Sequence, residues 1–342
     1  MNVVRAIAPD RLDHLHQIAT ATARSIADIE SLASAGEPVI LKGLIDHWPA
    51  LAAANQSPAE FDAYLIARNR GAPVPLMEAP PSSGGRFGYA ADVREFTFTK
   101  RSRPLGETLD RIAGASNRPG APYLAIQLLA LDEQMPAFVR DNPMPLLPAG
   151  ARPKLWLGGR VKTQIHNDRD HNLACVIAGH RRFLLFPPEQ VANLYIGPLD
   201  NPPPLSLVDP EAPDLVRFPR FAEALRSARV GYLGPGEALL MPRYWWHHVT
   251  SLDPYNAMVN YWWGEDAPGL GNAHDAFLTA LLSFSSLPLG EREYWRAMLE
   301  TYVFSDEGAE HIPEQARGML GSLTPQLRAS LRKRLKAAAL KS

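Results

Sequence analysis

Between residues 121 and 265 the chain breaks into short apolar or alternating runs separated by turn residues. Runs at 123–129, 154–157 and 162–168 have strand length. The runs 172–178 and 181–186 flank Gly179-His180, which reads as a two-residue hairpin loop with Gly at its first position. A Pro-rich stretch follows at 198–219, then a short helix. Strands resume at 230–232, 238–241, 246–251 and 257–262, with Gly234-Pro-Gly236 as a turn. At least eight short strands joined this way predict a mainly β fold with helical additions, a double-stranded β-helix or jelly roll.

The flanks carry other periods. Residues 1–120 read as mixed α and β. A helix is expected at 25–33, a buried strand at 38–41, and a helix to about 67 opened by the capping box Ser57-Pro58-Ala59-Glu60. A loop at 80–85 and a helix at 105–113 complete this stretch. Residues 266–342 read as helical. Phe277, Leu278, Leu281 and Leu282 form one apolar stripe; Tyr294, Trp295, Met298, Leu299, Tyr302 and Val303 form a broader one. A last helix opens at Thr324-Pro325. The division expected is N-terminal elements packed on the barrel (1–120), the barrel itself (121–265) and a helical region that builds a homodimer (266–342).

Composition narrows the class. Of the 342 residues 46% are hydrophobic and 21% charged, enough for a large core. The 32 prolines, roughly twice the average usage of ~5%, favour short strands and turns over a bundle. A net charge of −1 gives no steering toward nucleic acid or an anionic membrane. Six basic residues in the last fifteen suit a solvated helix face near the C-terminal end of its dipole. Cys175 is the only cysteine, so no internal disulfide forms and a reducing compartment fits. Arg5, Asp10, Arg11 and Asp13 interrupt the N-terminus where a signal peptide would be apolar, and no apolar run nears the ~20 residues that span a bilayer. A cytoplasmic protein is expected.

The chemistry concentrates in His166-Asn167-Asp168 and in Met241-Pro-Arg-Tyr-Trp-Trp-His-His-Val249. Strand side chains alternate, so His166 and Asp168 share a face. Either His247 or His248 can join them, but not both, because neighbours on a strand face opposite ways. Two imidazoles and one carboxylate on one side of Fe(II) leave three positions open, the arrangement of non-haem iron oxygenases. Asp170 and His171 crowd the same site and offer alternative metal contacts, but read first as polar residues of the barrel mouth. Asn172 and Asn260 stand in apolar runs where Asn is disfavoured, which suggests polar work inside the barrel.

From about residue 38 to 264 the chain resembles the cupin-like Jumonji C group of Fe(II)- and 2-oxoglutarate-dependent oxygenases. The likeness is carried by 162–168, Asn172, 179–188, 234–242, 245–248 and 259–262. It implies that His166, Asp168 and His247 hold the iron, and that 2-oxoglutarate and O₂ are cosubstrates. It also implies a pocket for the distal carboxylate of 2-oxoglutarate, with Arg181 where relatives usually carry Lys, and with the hydroxyls of Thr163 and Tyr123. Asn172 and Asn260 match amides near the iron-chelating end, and Trp262 is expected to pack beneath the ligands. Arg182 should point to the opposite face and be solvated.

Three functions compete. The favoured one is hydroxylation of a protein or peptide side chain, or of a small molecule, with release of succinate and CO₂. The second is a metal-dependent cupin isomerase or hydrolase without 2-oxoglutarate, which has no use for Arg181, Thr163 and Asn260 together. The third is a non-catalytic cupin binding protein, which has no need of an intact His/Asp/His set. No motif names the substrate; the 198–219 insert, the 80–95 loop and the N-terminal segment are where specificity would reside.

Overall fold

The apolar runs become the strands of two facing sheets. The computed structural model describes residues 14–200, 203–264, 272–305 and 307–339. In chain order the strands are β1 His16–Gln17, β2 Ala19–Ala21, β3 Val39–Lys42, β4 Val74–Ala79, β5 Arg86–Phe87, β6 Thr99–Arg103, β7 Tyr123–Ala130 and β8 Arg152–Gly158. They continue as β9 Lys162–Asn167, β10 His171–Ala178, β11 Arg181–Phe186, β12 Arg229–Leu233, β13 Glu237–Met241, β14 Trp246–Ser251 and β15 Asn256–Trp263. One sheet runs β1-β12-β11-β14-β9-β5 and the other β2-β3-β13-β10-β15-β8-β7-β4-β6. This is the expected jelly roll of the cupin type, with helical additions.

One expectation about connectivity fails. Gly179-His180 does not close a hairpin, because β10 pairs with β13 and β15 whereas β11 pairs with β12 and β14. The turn hands the chain from one sheet to the other. Both flanking strands are buried on two faces, so each finds its partners in its own sheet. Gly179 is required there: its φ is +66°, and a Cβ would lie 2.4 Å from the Tyr255 carbonyl oxygen.

Burial on both faces also explains why β10 reads as an unbroken apolar run. Leu173, Cys175 and Ile177 join a core beneath the helices; Ala174 and Val176 point between the sheets. On β11, Phe183 and Leu185 face the inter-sheet space, while Leu184 and Phe186 face an outer cluster with Leu194, Val208 of the Pro-rich insert and Phe221 of the helix that follows it. That insert covers the outside of the smaller sheet.

The helices are α1 Ile26–Ser34, α2 Pro49–Gln56, α3 Pro58–Ile66, α4 Leu105–Ser116, α5 Leu131–Gln134, α6 Pro136–Asp141 and α7 Phe221–Ser227, then α8 Ala273–Phe284, α9 Leu289–Tyr302 and α10 Pro325–Ala339. Ser57 caps α3 by accepting from the Glu60 amide at 3.1 Å. Helix α4 buries Leu105, Thr108, Leu109 and Ile112, one stripe at helical spacing. The strands of the first 120 residues extend both sheets, so that stretch is part of the same body and not a layer apart.

The chain forms two compact units, Met1–Gly264 and Glu265–Ser342. In the second, the Phe284 and Trp295 rings stack at 5.4 Å between α8 and α9, and neither helix contains a buried residue. Thr324 Oγ1 accepts from the Leu327 amide and opens α10. No helix among the described residues is long and apolar enough to cross a membrane. Arg5, Asp10, Arg11 and Asp13 lie outside the described residues.

Candidate active site

His166 and His247 stand 81 positions apart yet face each other, because β9 and β14 are antiparallel neighbours in which the two residues pair directly. Their ring centroids are 4.2 Å apart. Asp168 follows on the same face as His166, with Oδ2 3.8 Å from His247 Nε2. One donor atom from each of the three residues lies within 4.8 Å of the others, a spacing that one metal ion can bridge.

Each donor is held from behind. His166 Nδ1 sits 2.8 Å from the Gln164 carbonyl oxygen and His247 Nδ1 3.0 Å from that of Trp245. With Nδ1–H donating to a carbonyl, the lone pair of each ring lies on Nε2. Asp168 Oδ2 accepts from Asn172 Nδ2 at 3.0 Å, and Asn172 Oδ1 accepts from Asn260 Nδ2 at 2.7 Å. The two asparagines therefore form a relay across β10 and β15 that orients the carboxylate. Desolvation, then the neighbouring His247, lowers the pKa of His166 and keeps its ring neutral, the state a metal ligand requires. The loop before β14 adds strain: Tyr244 has φ +67°, and its amide donates to the Asp168 carbonyl oxygen at 3.0 Å.

The triad opens on a cavity of about 350 Å³ between the sheets. Thr163, Arg181, Asn172, Asn260 and Trp262 also line it. Arg181 is only 5% exposed, its Nε has no hydrogen-bond partner, and among the described residues no carboxylate pairs with it. Burial lowers its pKa to about 10, which leaves it charged at neutral pH. A buried cation without a counter-ion is costly unless an anion arrives. Directly across from it on β14, Ser251 Oγ is also buried and unpartnered. Thr163 Oγ1 accepts from the Val249 amide at 3.1 Å, at the bulge between β9 and β14. Buried unpartnered atoms on Trp262 (Nε1) and Asn260 (Oδ1) complete a polar floor.

Two expectations need correction. Tyr123 does not line the cavity. It packs at the start of β7 with Phe87, Ala125 and Val161, which do line the cavity, so it stands one layer behind the wall. Arg182 does face away from the cavity, but it is buried, because the Pro-rich insert covers that side. There it pairs with Glu211, which also holds Lys162 and accepts from Thr250 Oγ1 at 3.0 Å. His248 belongs to the same outer cluster, with Nε2 3.7 Å from Glu211. Burial alone would raise the Glu211 pKa; the hydrogen bonds and charges of His248 and Lys162 outweigh it and hold the carboxyl well below the usual range. His171 is bonded to the Arg243 amide at 3.3 Å and stays outside the triad. Ser251 escaped notice in the sequence although alternation from His247 through Val249 points to it.

The geometry defines a barrel oxygenase centre: a facial His/Asp/His set beside a cationic pocket. The match to the cupin-like domain model over residues 26–267 agrees, and the chain belongs to that family, in its Jumonji C form. Among its relatives are proteins named as a lysyl hydroxylase and as lysine-specific demethylases. It is 29% identical over 260 residues to the human bifunctional peptidase and (3S)-lysyl hydroxylase JMJD7, covering 66% of this chain and 77% of that one. It is 30% identical over 250 residues to the Drosophila melanogaster Jumonji C domain-containing protein 5, covering 67% and 55%. The similarity to human HSPB1-associated protein 1, 35% over 137 residues, covers 39% of this chain and 28% of that protein.

Proposed function

We propose that this chain is an Fe(II)- and 2-oxoglutarate-dependent hydroxylase with His166, Asp168 and His247 as iron ligands. The carrying observation is Arg181, a buried cation without a partner that lines the same cavity as the triad. Iron with 2-oxoglutarate and O₂ would supply C–H oxidation, one oxygen atom entering the substrate and the other succinate, with CO₂ released. Arg181 would grip the distal carboxylate, assisted by Ser251 and Thr163; Arg offers two parallel donors where relatives usually carry Lys. Asn172 and Asn260 hold Asp168 in place, and the apolar walls exclude water. A cupin isomerase or hydrolase without 2-oxoglutarate would leave Arg181 uncompensated.

The substrate we expect is a protein side chain or a small molecule. We also propose a homodimer built on the apolar faces of α8 and α9, a cytoplasmic location in keeping with the buried lone Cys175, and no nucleic-acid or membrane partner. The test is anaerobic titration of the Fe(II)-loaded protein with 2-oxoglutarate. A weak visible metal-to-ligand band should appear, and His166→Ala or Asp168→Ala should abolish stoichiometric iron binding while His248→Ala keeps it. Absence of the band in iron-loaded protein refutes the 2-oxoglutarate assignment.

A further inference from the structure

Beyond the triad and the polar groups around Arg181 the cavity is lined largely by apolar side chains, among them Met77, Phe96, Phe98, Leu128, Pro203 and Leu205, with Gln127 and Gln164 as neutral polar members. Phe98 lies between Phe87 and Phe96, with ring centroids 5.4 and 5.2 Å away. Phe96 is 39% exposed and Leu128 42%. Leu128 sits at the β7 bulge with φ +59°, a conformation that a residue with a Cβ adopts at a cost. A strained backbone that holds an apolar side chain open to a cavity points to a binding surface and not to a core.

The same wall lacks negative charge. Among the described lining residues the only carboxylate is Asp168, already part of the triad. Of the insert's acids, Asp209 lies 3.6 Å from Arg86, Glu211 holds Lys162 and Arg182, Asp214 accepts from the Val216 and Arg217 amides, and Asp200 is not among the lining residues. With iron and 2-oxoglutarate in place, as the proposed function has it, the two charges of the metal and that of Arg181 balance Asp168 and the two cosubstrate carboxylates. Nothing is left over to receive an ammonium group, and burying one unpaired is strongly unfavourable.

We propose that the group this site oxidises is uncharged and apolar, an aliphatic or aromatic side chain or a small molecule of the same character. The inference rests on the assignment of the cavity to iron and 2-oxoglutarate, and it separates this chain from the lysyl substrate in the human relative's name.

Norleucine tests it, since it keeps an alkyl chain and lacks the lysine ammonium. Full-length protein with ¹³C-labelled methionine methyls, loaded with Zn(II) and 2-oxoglutarate, reports binding through Met77, Met241 and Met258, which all line the cavity. The titrants are glycine-flanked pentapeptides centred on norleucine, phenylalanine or lysine, and the N-acetyl amides of the same three residues. A neutral probe should bind at least tenfold more tightly than its lysine counterpart. Tighter binding of the pentapeptide than of the amide marks a peptide substrate, and equal binding a small molecule. Leu128→Asp should shrink the preference by returning a carboxylate to the wall. Lysine binding as tightly as the neutral probes, or no response to either neutral probe, overturns the proposal. If 2-oxoglutarate itself shifts none of the three methyls, the cosubstrate assignment fails; if it shifts them and lysine binds as tightly as the neutral probes, that assignment stands and this inference alone fails.

Discussion

Arg181 should weaken the fold that it serves. Its pKa falls from 12.5 to about 10 through burial alone. At 1.36 kcal/mol per pKa unit this corresponds to about 3 kcal/mol of desolvation that no internal partner offsets. Replacing it by Met keeps most of the volume and removes the charge, so the ligand-free protein should become more stable, by up to about that amount. For a unit of this size ~1 kcal/mol moves Tm by about 2–4 °C, so the rise should be several degrees. The opposite is expected for the cosubstrate. Without its cation the distal carboxylate loses about 3–5 kcal/mol, a hundredfold or more in Kd. Arg181→Lys should recover much of the affinity, as a point charge without the fork. The assay is thermal unfolding of metal-loaded protein with and without 2-oxoglutarate, alongside calorimetric titration. If Arg181→Met lowers Tm without ligand and changes 2-oxoglutarate affinity less than tenfold, the residue is structural and the argument is refuted.

Three further outcomes follow from the same contacts. Asn172→Ala removes the amide that holds Asp168 Oδ2 and strands Asn260, so metal affinity should fall about 10–100-fold, as measured by competition with a chelator. Glu211→Gln should cost ~3 kcal/mol at neutral pH in chemical denaturation, because it leaves Arg182 and Lys162 without their carboxylate. Because the folded pKa of Glu211 lies below its unfolded value, its contribution is full above the ordinary 4.5 and is lost as pH falls through the folded value. The variant should therefore show a shallower loss of stability on acidification than the parent, and parallel acid limbs would contradict the assignment. Light scattering at micromolar concentration should give about twice the chain mass of 37.6 kDa, and a clean monomer would remove the dimer.

Legibility in the sequence followed the period of the side chains. The strands read well wherever both faces are apolar, as in β10 and β11, since an unbroken run needs no partner to be seen. Partners were not legible: an apolar run does not say which strand it joins, so Gly179-His180 looked like a hairpin when it is a crossing between sheets. The metal set was visible because His166 and Asp168 are two apart, but their meeting with His247 depends on the register of β9 and β14. The place given to Tyr123 rests on the resemblance alone, and none of the segments that carry the likeness includes it.

The pairs Arg181-Arg182 and His247-His248 show how far alternation carries. On β11 and β14 the first member of each pair points between the sheets, and the second points outward. Inside, Arg181 has no carboxylate and is free for an anion that the protein does not contain. Outside, Arg182 and His248 meet Glu211, which arrives from the insert some thirty residues after β11 begins. Sequence spacing separates the two faces; it does not reveal which of them a distant loop will cover. The same insert sets Pro203 and Leu205 into the cavity wall. A contact on the outer face thus anchors the segment that shapes the inner one, and loosening Glu211 should widen the range of groups the cavity accepts before it disturbs the metal.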